Sequence, residues 1–206
     1  MKKSDAKRQA ILDTASRLFR TRGFDGTSVS EITAQVGGSK ATIYSHFPSK
    51  EVLFVECMTA AVDDYLTEIV AQSAAQLDAT GTDLDAVLRH YGTGYLTVIC
   101  SPDTVAARRL MIAEATRSGI GRLFFAKIAA MREHIVAFLS QLMAIGALRA
   151  EDPRLAAEHL RAMLEAELLE PLLLRARDDS PNDKEIALAA ERAVSVFLRA
   201  YAPTGQ

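Results

Sequence analysis

Lys40, Ala41, Thr42, Tyr44, Ser45 and His46 stand in one short run, and nearly every side chain in it can donate to or touch a nucleic acid. Lysine donates to guanine O6 and N7, and alanine meets the thymine methyl. Lys40, Ala41 and Ser45 are therefore candidates for reading base edges. The other reading of Lys40 is a phosphate contact alone. Thr27, Ser28 and Thr42 offer hydroxyls to phosphate oxygens. Lys50 offers an ammonium at the start of a helix, whose amides and dipole also favour an anion. Ser28 can equally be occupied as a helix cap. Tyr44 and His46 flank the exposed face; a half-buried supporting tyrosine and an ordinary surface histidine are the alternatives. Lys2, Lys3, Lys7 and Arg8 form a basic arm ahead of this region, either a DNA-tracking arm or a solvated tail.

Two short helices must position these groups. Ser28 with Glu31 makes a capping box, the signature of a helix start. Val29, Ile32 and Val36 then share one face at helical spacing. Gly37-Gly38 stops this helix, because glycine takes the left-handed turn without a Cβ penalty. Ser39 caps the next one, which buries Ile43 and Phe47 and leaves the polar run outward. Two helices joined by a glycine turn form a helix-turn-helix, with the second helix placed for the DNA major groove.

Charge supports that reading. Residues 1–50 carry +5 and the remaining 156 residues carry −7, a basic head on an acidic body. Alanine and leucine dominate and β-branched runs are scarce, so an all-α fold is expected. Cys57 and Cys100 match no metal or redox spacing and read as buried small hydrophobes. Lys2-Lys3 leads into a polar amphipathic helix rather than a leader, and no apolar run of about eighteen residues appears. A soluble, cytoplasmic protein is expected. No metal-ligand cluster, phosphate-cradling glycine loop or nucleophile motif is present. His46, His90, His134 and His159 are scattered. Neither an enzyme nor a cofactor is expected.

The remaining helices follow from caps and breakers. The first helix spans about Ser4 to Thr21 and ends at Gly23-Phe24. The fourth starts at Ser49, runs to about Leu77, and forms the mechanical link from head to body. Asp78-Ala79-Thr80-Gly81 breaks the chain. A fifth helix covers about Thr82 to Cys100, a sixth about Pro102 to Thr116, and a seventh ends near Ile145 at Gly146. The eighth runs from Asp152-Pro153 to about Arg177, with a kink or irregularity at Pro171. The ninth runs from Ser180-Pro181 to about Tyr201, and 202–206 should fray. Ser101-Pro102, Asp152-Pro153 and Ser180-Pro181 each pair a cap with a proline suited to the first helical turn. The organisation is a three-helix head over residues 1–50 and a larger helical bundle over 51–206, about nine helices in all.

Arg8 to about Cys57 resembles the DNA-binding domain of TetR-type regulators. The resemblance rests on Ile11 to Ala15, Leu18-Phe19, Gly23-Phe24, Thr27 to Val29, Ile32, Val36-Gly37, Thr42 to Tyr44, His46-Phe47 and Ser49 to Glu51. Arg108 to Ala115, Gly146 to Arg149 and Asp152-Pro153 resemble the C-terminal domain of AefR-like members. The resemblance implies phosphate contacts for Tyr44 and His46, repression, and a twofold homodimer on a palindromic operator in double-stranded DNA.

In the body, Tyr65, Tyr91, Tyr95, Met111, Phe124, Phe125, Ile128, Met131 and Met163 are candidate linings of a pocket for a small, largely apolar effector, or plain core. Gly92 and Gly94 leave room for a ligand or for close helix packing. Glu167 falls on the apolar stripe of the eighth helix, where a buried carboxylate needs a partner such as His90, Arg108, Arg132 or a cationic ligand. The eighth and ninth helices carry more apolar surface than one face needs. They either form a four-helix dimer interface or bury both faces within one chain. The expected function is a regulator released from DNA by the effector. The alternatives are a DNA-binding regulator without an effector, an activator, and a helical enzyme or transport bundle.

Overall fold

The computed structural model describes the backbone of residues 3–80 and 83–203 and the side chains of 4–76 and 83–203. Among the described residues every regular element is helical. In chain order these are α1 (Lys3–Arg22), α2 (Val29–Val36), α3 (Lys40–His46), α4 (Lys50–Thr80) and α5 (Leu84–Ile99). They are followed by α6 (Pro102–Ala113), α7 (Ile120–Ala144), α8 (Pro153–Glu165), α9 (Leu169–Leu173) and α10 (Asp183–Tyr201). The all-α expectation holds. Lys2 of the basic arm, Gly81 of the expected break and residues 204–206 of the expected frayed end lie outside the described residues.

The chain forms two compact units. The first comprises 1–61 and 106–128, the second 62–105 and 129–206, so α4 and α7 contribute residues to both. The first unit closes over Ile11, Phe19, Ile32, Phe47, Leu53 and Phe54, all nearly inaccessible. Phe19, Phe24 and Phe54 meet pairwise there, with the Phe54 ring edge-on to the other two. Cys57 belongs to this core; its Sγ reaches the Leu12 carbonyl at 3.6 Å, and burial pushes the thiol up to about 12. Cys100 is buried in the core of the second unit.

The second core gathers α5, α8 and α10. A Cβ on Gly92 would fall 2.9 Å from the Leu164 side chain and 3.3 Å from that of Ala190. A Cβ on Gly94 would fall 2.8 Å from Ile69. Both glycines therefore serve close helix packing, one of the two roles their positions allowed.

Three boundaries differ from expectation. The helix expected from Asp152 to Arg177 is split into α8 and the single turn α9. Pro171 has no N–H, and its ring clashes with the carbonyl four residues back, at Glu167. The chain leaves the helix after Glu165 and restarts at Leu169. The last helix starts at Asp183 rather than at Ser180-Pro181, because Asn182 and Glu185 form a complete capping box. Pro102 and Pro153 begin their helices as expected. α4 continues through Asp78 to Thr80, residues read as a break.

The apolar residues offered as surplus on the last long helices are mostly interior. Leu160, Leu164, Leu172, Ile186, Ala190, Val194 and Phe197 are all buried in the second core. The outward apolar residues are Leu155 on α8, Leu174 just after α9, and Leu188 and Val196 on α10.

Candidate nucleic-acid interface

The backbone of α2 and α3 is fixed from within. Ser28 accepts from the Glu31 N–H at 3.2 Å, and Glu31 accepts from the Ser28 N–H at 3.0 Å. That backbone bond, more than the Ser28 hydroxyl or Arg22, holds the Glu31 carboxyl below its usual range. Ser39 and Thr42 repeat the box at α3, at 3.2 and 3.4 Å. Between the helices Gly37 and Gly38 sit at φ 76° and 104°, the left-handed region that favours glycine.

This frame sorts the candidate residues. Lys40, Ala41, Tyr44 and Ser45 are exposed, whereas Thr42, His46 and Lys50 are half-buried. Among the described residues Lys40 makes no ion pair or hydrogen bond, which leaves its ammonium free for a phosphate or a guanine edge. Tyr44 keeps 45 % of its surface exposed. Ser45 donates to the Thr42 carbonyl at 2.8 Å and can still accept. The ammonium of Lys50 lies 4.2 Å from the Phe24 ring centroid, a cation–π contact that steers it at the start of α4. Ser49 caps that start by accepting from the Val52 N–H.

Three candidates carry structural work. Thr27 is buried, and its hydroxyl donates to the Gly23 carbonyl at 3.0 Å, so that hydroxyl does not face a phosphate. The Ser28 and Thr42 hydroxyls both belong to caps. The basic arm is likewise tied down where it is described. Lys7 donates to the carbonyls of Val36 and Gly37 at 3.0 and 2.8 Å, closing the C-terminus of α2. Arg8 lies over the Phe47 ring and pairs with Glu56 at 3.1 Å.

The pocket candidates divide between the units. Met111, Phe124 and Ile128 belong to the first, where Met111 is buried in the core and Phe124 packs against it; Phe125 is exposed. Tyr65, Tyr91, Tyr95, Met131, Met163 and Glu167 belong to the second. Tyr91, Tyr95 and Met131 are buried there, Met163 packs against the same core, and Tyr65 is partly exposed. Glu167 is not a buried carboxylate. It lies in the break after α8, is exposed, and takes a two-pronged contact from Arg192. That Arg192 bond lowers its pKa.

Residues 11–57 match the family model described as bacterial regulatory proteins, tetR family. Residues 86–203, more than half of the chain, match that of the AefR-like transcriptional repressor C-terminal domain. The chain belongs to the TetR family of transcriptional regulators. Among curated relatives, the HTH-type transcriptional repressor ComR of Escherichia coli (strain K12) is 31 % identical over 99 residues, covering 48 % of this chain and 45 % of that protein. The matched stretch thus spans less than half the length of that relative. A chain of known structure, the Flavonoid-responsive Regulator FrrA, is 28 % identical with a TM-score of 0.70, over 98 % of this chain and all of that one. A TetR family regulator from Pseudomonas syringae pv. tomato str. DC3000 is 25 % identical with a TM-score of 0.69, over 97 % of this chain and 98 % of that one.

In this TetR-family chain two polar features escaped the sequence reading. Arg117, in the turn after α6, pairs with Asp25 in the α1–α2 loop and so braces the head. Glu165 is largely buried in the second unit: it accepts from the Tyr95 hydroxyl at 2.5 Å and from Arg161 at 2.6 Å. Arg161 and Glu165 at i and i+4 were the available signal. The stripe drawn through Glu167 assumed a helix that ends before it.

Proposed function

We propose that this chain is a homodimeric repressor that leaves a palindromic operator when a small, largely apolar effector binds its second unit. The observation that carries the DNA reading is α3. Its backbone is locked by a capping box and a glycine turn, and it presents Lys40, Ala41, Tyr44 and Ser45 outward. A rigid helix with free donors suits the major groove, while Tyr44, His46 and Lys50 supply phosphate contacts. The ComR likeness, to a protein named as a repressor, supports the direction of regulation.

The dimer rests on the outward row of α8 and α10, where Leu155, Leu188 and Val196 stay exposed on otherwise polar faces. Covering them against a second copy gives a four-helix interface. The FrrA likeness across nearly the whole chain supports control by a small molecule. Effector binding then acts through α4 and α7, whose residues belong to both units. By linkage, operator DNA weakens effector binding by the same factor.

Selection from random duplex DNA at fixed, moderate salt tests the reading. One palindrome should be enriched, with half-sites about one turn, roughly 34–36 Å, apart. Recovery of a single half-site removes the dimer, and salt-labile binding without enrichment removes the operator.

A further inference from the structure

The end of α2 lacks the usual backbone closure. Gly37 sits at φ 76°, ψ 155°, a conformation open essentially to glycine alone, and not the left-handed helical one of a common C-terminal cap. Its N–H returns to the Thr33 carbonyl at 2.9 Å, but among the described residues no backbone N–H of Gly38 or Ser39 returns to α2. The Ser39 N–H goes forward instead, to the Thr42 hydroxyl. The carbonyls of Val36 and Gly37 meet the Lys7 ammonium of α1 in place of those donors. A cation there also complements the negative end of the helix dipole. Lys7 is half-buried, whereas the other residues of 4–10 are exposed.

α1 grips the helix-turn-helix at several points, and these differ in what they fix. Arg22 pairs with Glu31 at 2.8 Å and Arg17 donates to Gln35 at 2.7 Å, and both hold the body of α2. Lys7 reaches past that helix into the turn that sets the direction of α3. Its neighbour Arg8 lies over the ring of Phe47, the residue that closes α3. Adjacent residues of α1 thus hold both ends of α3. Base readout requires its donors to be held within roughly 0.5 Å and 10–20°. A lysine on a phosphate acts as a point charge and tolerates more. A loose entry turn would therefore cost α3 its base contacts before its phosphate contacts. Were Lys7 itself to seek a phosphate, it would have to release both carbonyls and free that turn.

Resting on the operator reading above, we propose that Lys7 is a positioning residue for base readout. Its ammonium does not contact DNA. It fixes the Gly37-Gly38 turn, and through it the angle at which Lys40, Ala41 and Ser45 meet the groove.

Anisotropy titrations of the full chain test this, on the site recovered by selection and on a scrambled duplex, at several salt concentrations. Lys7→Met should weaken binding to the selected site about tenfold, the worth of one hydrogen bond to a charged group. Binding to the scrambled duplex and the salt slope should stay nearly unchanged. Lys7→Arg, which keeps the charge and the donors, should recover most of the loss. A salt slope lower by about one, with both duplexes weakened alike, makes Lys7 a phosphate ligand and overturns the proposal. Full selectivity in Lys7→Met overturns it as well. Amide exchange over residues 37–42 reads the turn without DNA. Lys7→Met should quicken it about tenfold and leave residues 50–60 unchanged, and equal rates in the two chains overturn the proposal. A wild-type chain that enriches no site removes the operator reading, and the exchange rates still decide whether Lys7 fixes the turn. Should Lys7→Met fail to fold, Lys7→Gln, which keeps a donor, takes its place with a smaller loss of the same kind.

Discussion

The two units use polar side chains in opposite senses. In the first, hydroxyls and ammoniums near α2 and α3 close helix ends, and the few left over point outward from α3. In the second, Tyr95, Glu165, Arg161, Glu158 and Arg132 turn toward one another between helices. A surface that reads DNA needs donors fixed in direction but unpaired in the free protein.

Four measurements can break or sharpen that contrast. The largest effect is expected from core truncation in the head. Phe54→Ala removes a ring that meets both Phe19 and Phe24 and should cost about 3–5 kcal/mol in denaturant unfolding. In the body the corresponding weakness is overpacking rather than a void. Gly92→Val, driven against Leu164 and Ala190, should cost about 1–3 kcal/mol or more and lower the melting temperature. A neutral outcome would mean that α5 can shift away from α8 and α10. Next comes Lys40→Ala, which leaves the fold intact. If Lys40 reads a base, operator affinity falls by about 1–3 kcal/mol and one operator position loses its preference. If it meets only phosphate, all sequences weaken alike and the salt slope drops by about one. The smallest effect is a pH dependence. Arg177, then the Asn182 N–H, hold Glu185 at about 2, below its ordinary 4.5. The folded carboxyl is the stronger acid, so its stabilisation is complete above about 4.5 and fades as pH falls toward 2. Glu185→Gln should therefore flatten thermal stability across that acid window and leave the behaviour above it unchanged in slope.

The contrast also explains what could be read in advance. Capping boxes, glycine turns and short amphipathic spacings are local, so Ser28, Gly37, Ser39, Ile43 and Phe47 were assigned correctly from neighbours within a few residues. Thr27 was misjudged because its acceptor, the Gly23 carbonyl, becomes available only when the turn after α1 folds back. Lys7 looked like part of a free arm because its two acceptors lie some thirty residues along the chain. The body depends more on such distant partners. Pro171 announced an irregularity but not its position, and an error of a few residues there moved attention from Glu165 to Glu167. The Arg132 to Glu165 ladder follows from no local pattern.

The two cysteines give each unit its own stopwatch. Cys57 lies in the first core and Cys100 in the second, and neither is bridged. With its thiol pushed up to about 12, folded Cys57 carries almost no thiolate at neutral pH, so an alkylating reagent modifies it only when the surrounding core opens. Pulsed alkylation followed by mass spectrometry then times the openings of one unit at a single sulfur. Repeating the pulse with operator or effector present gives two separate rates, and shows which unit each partner quiets.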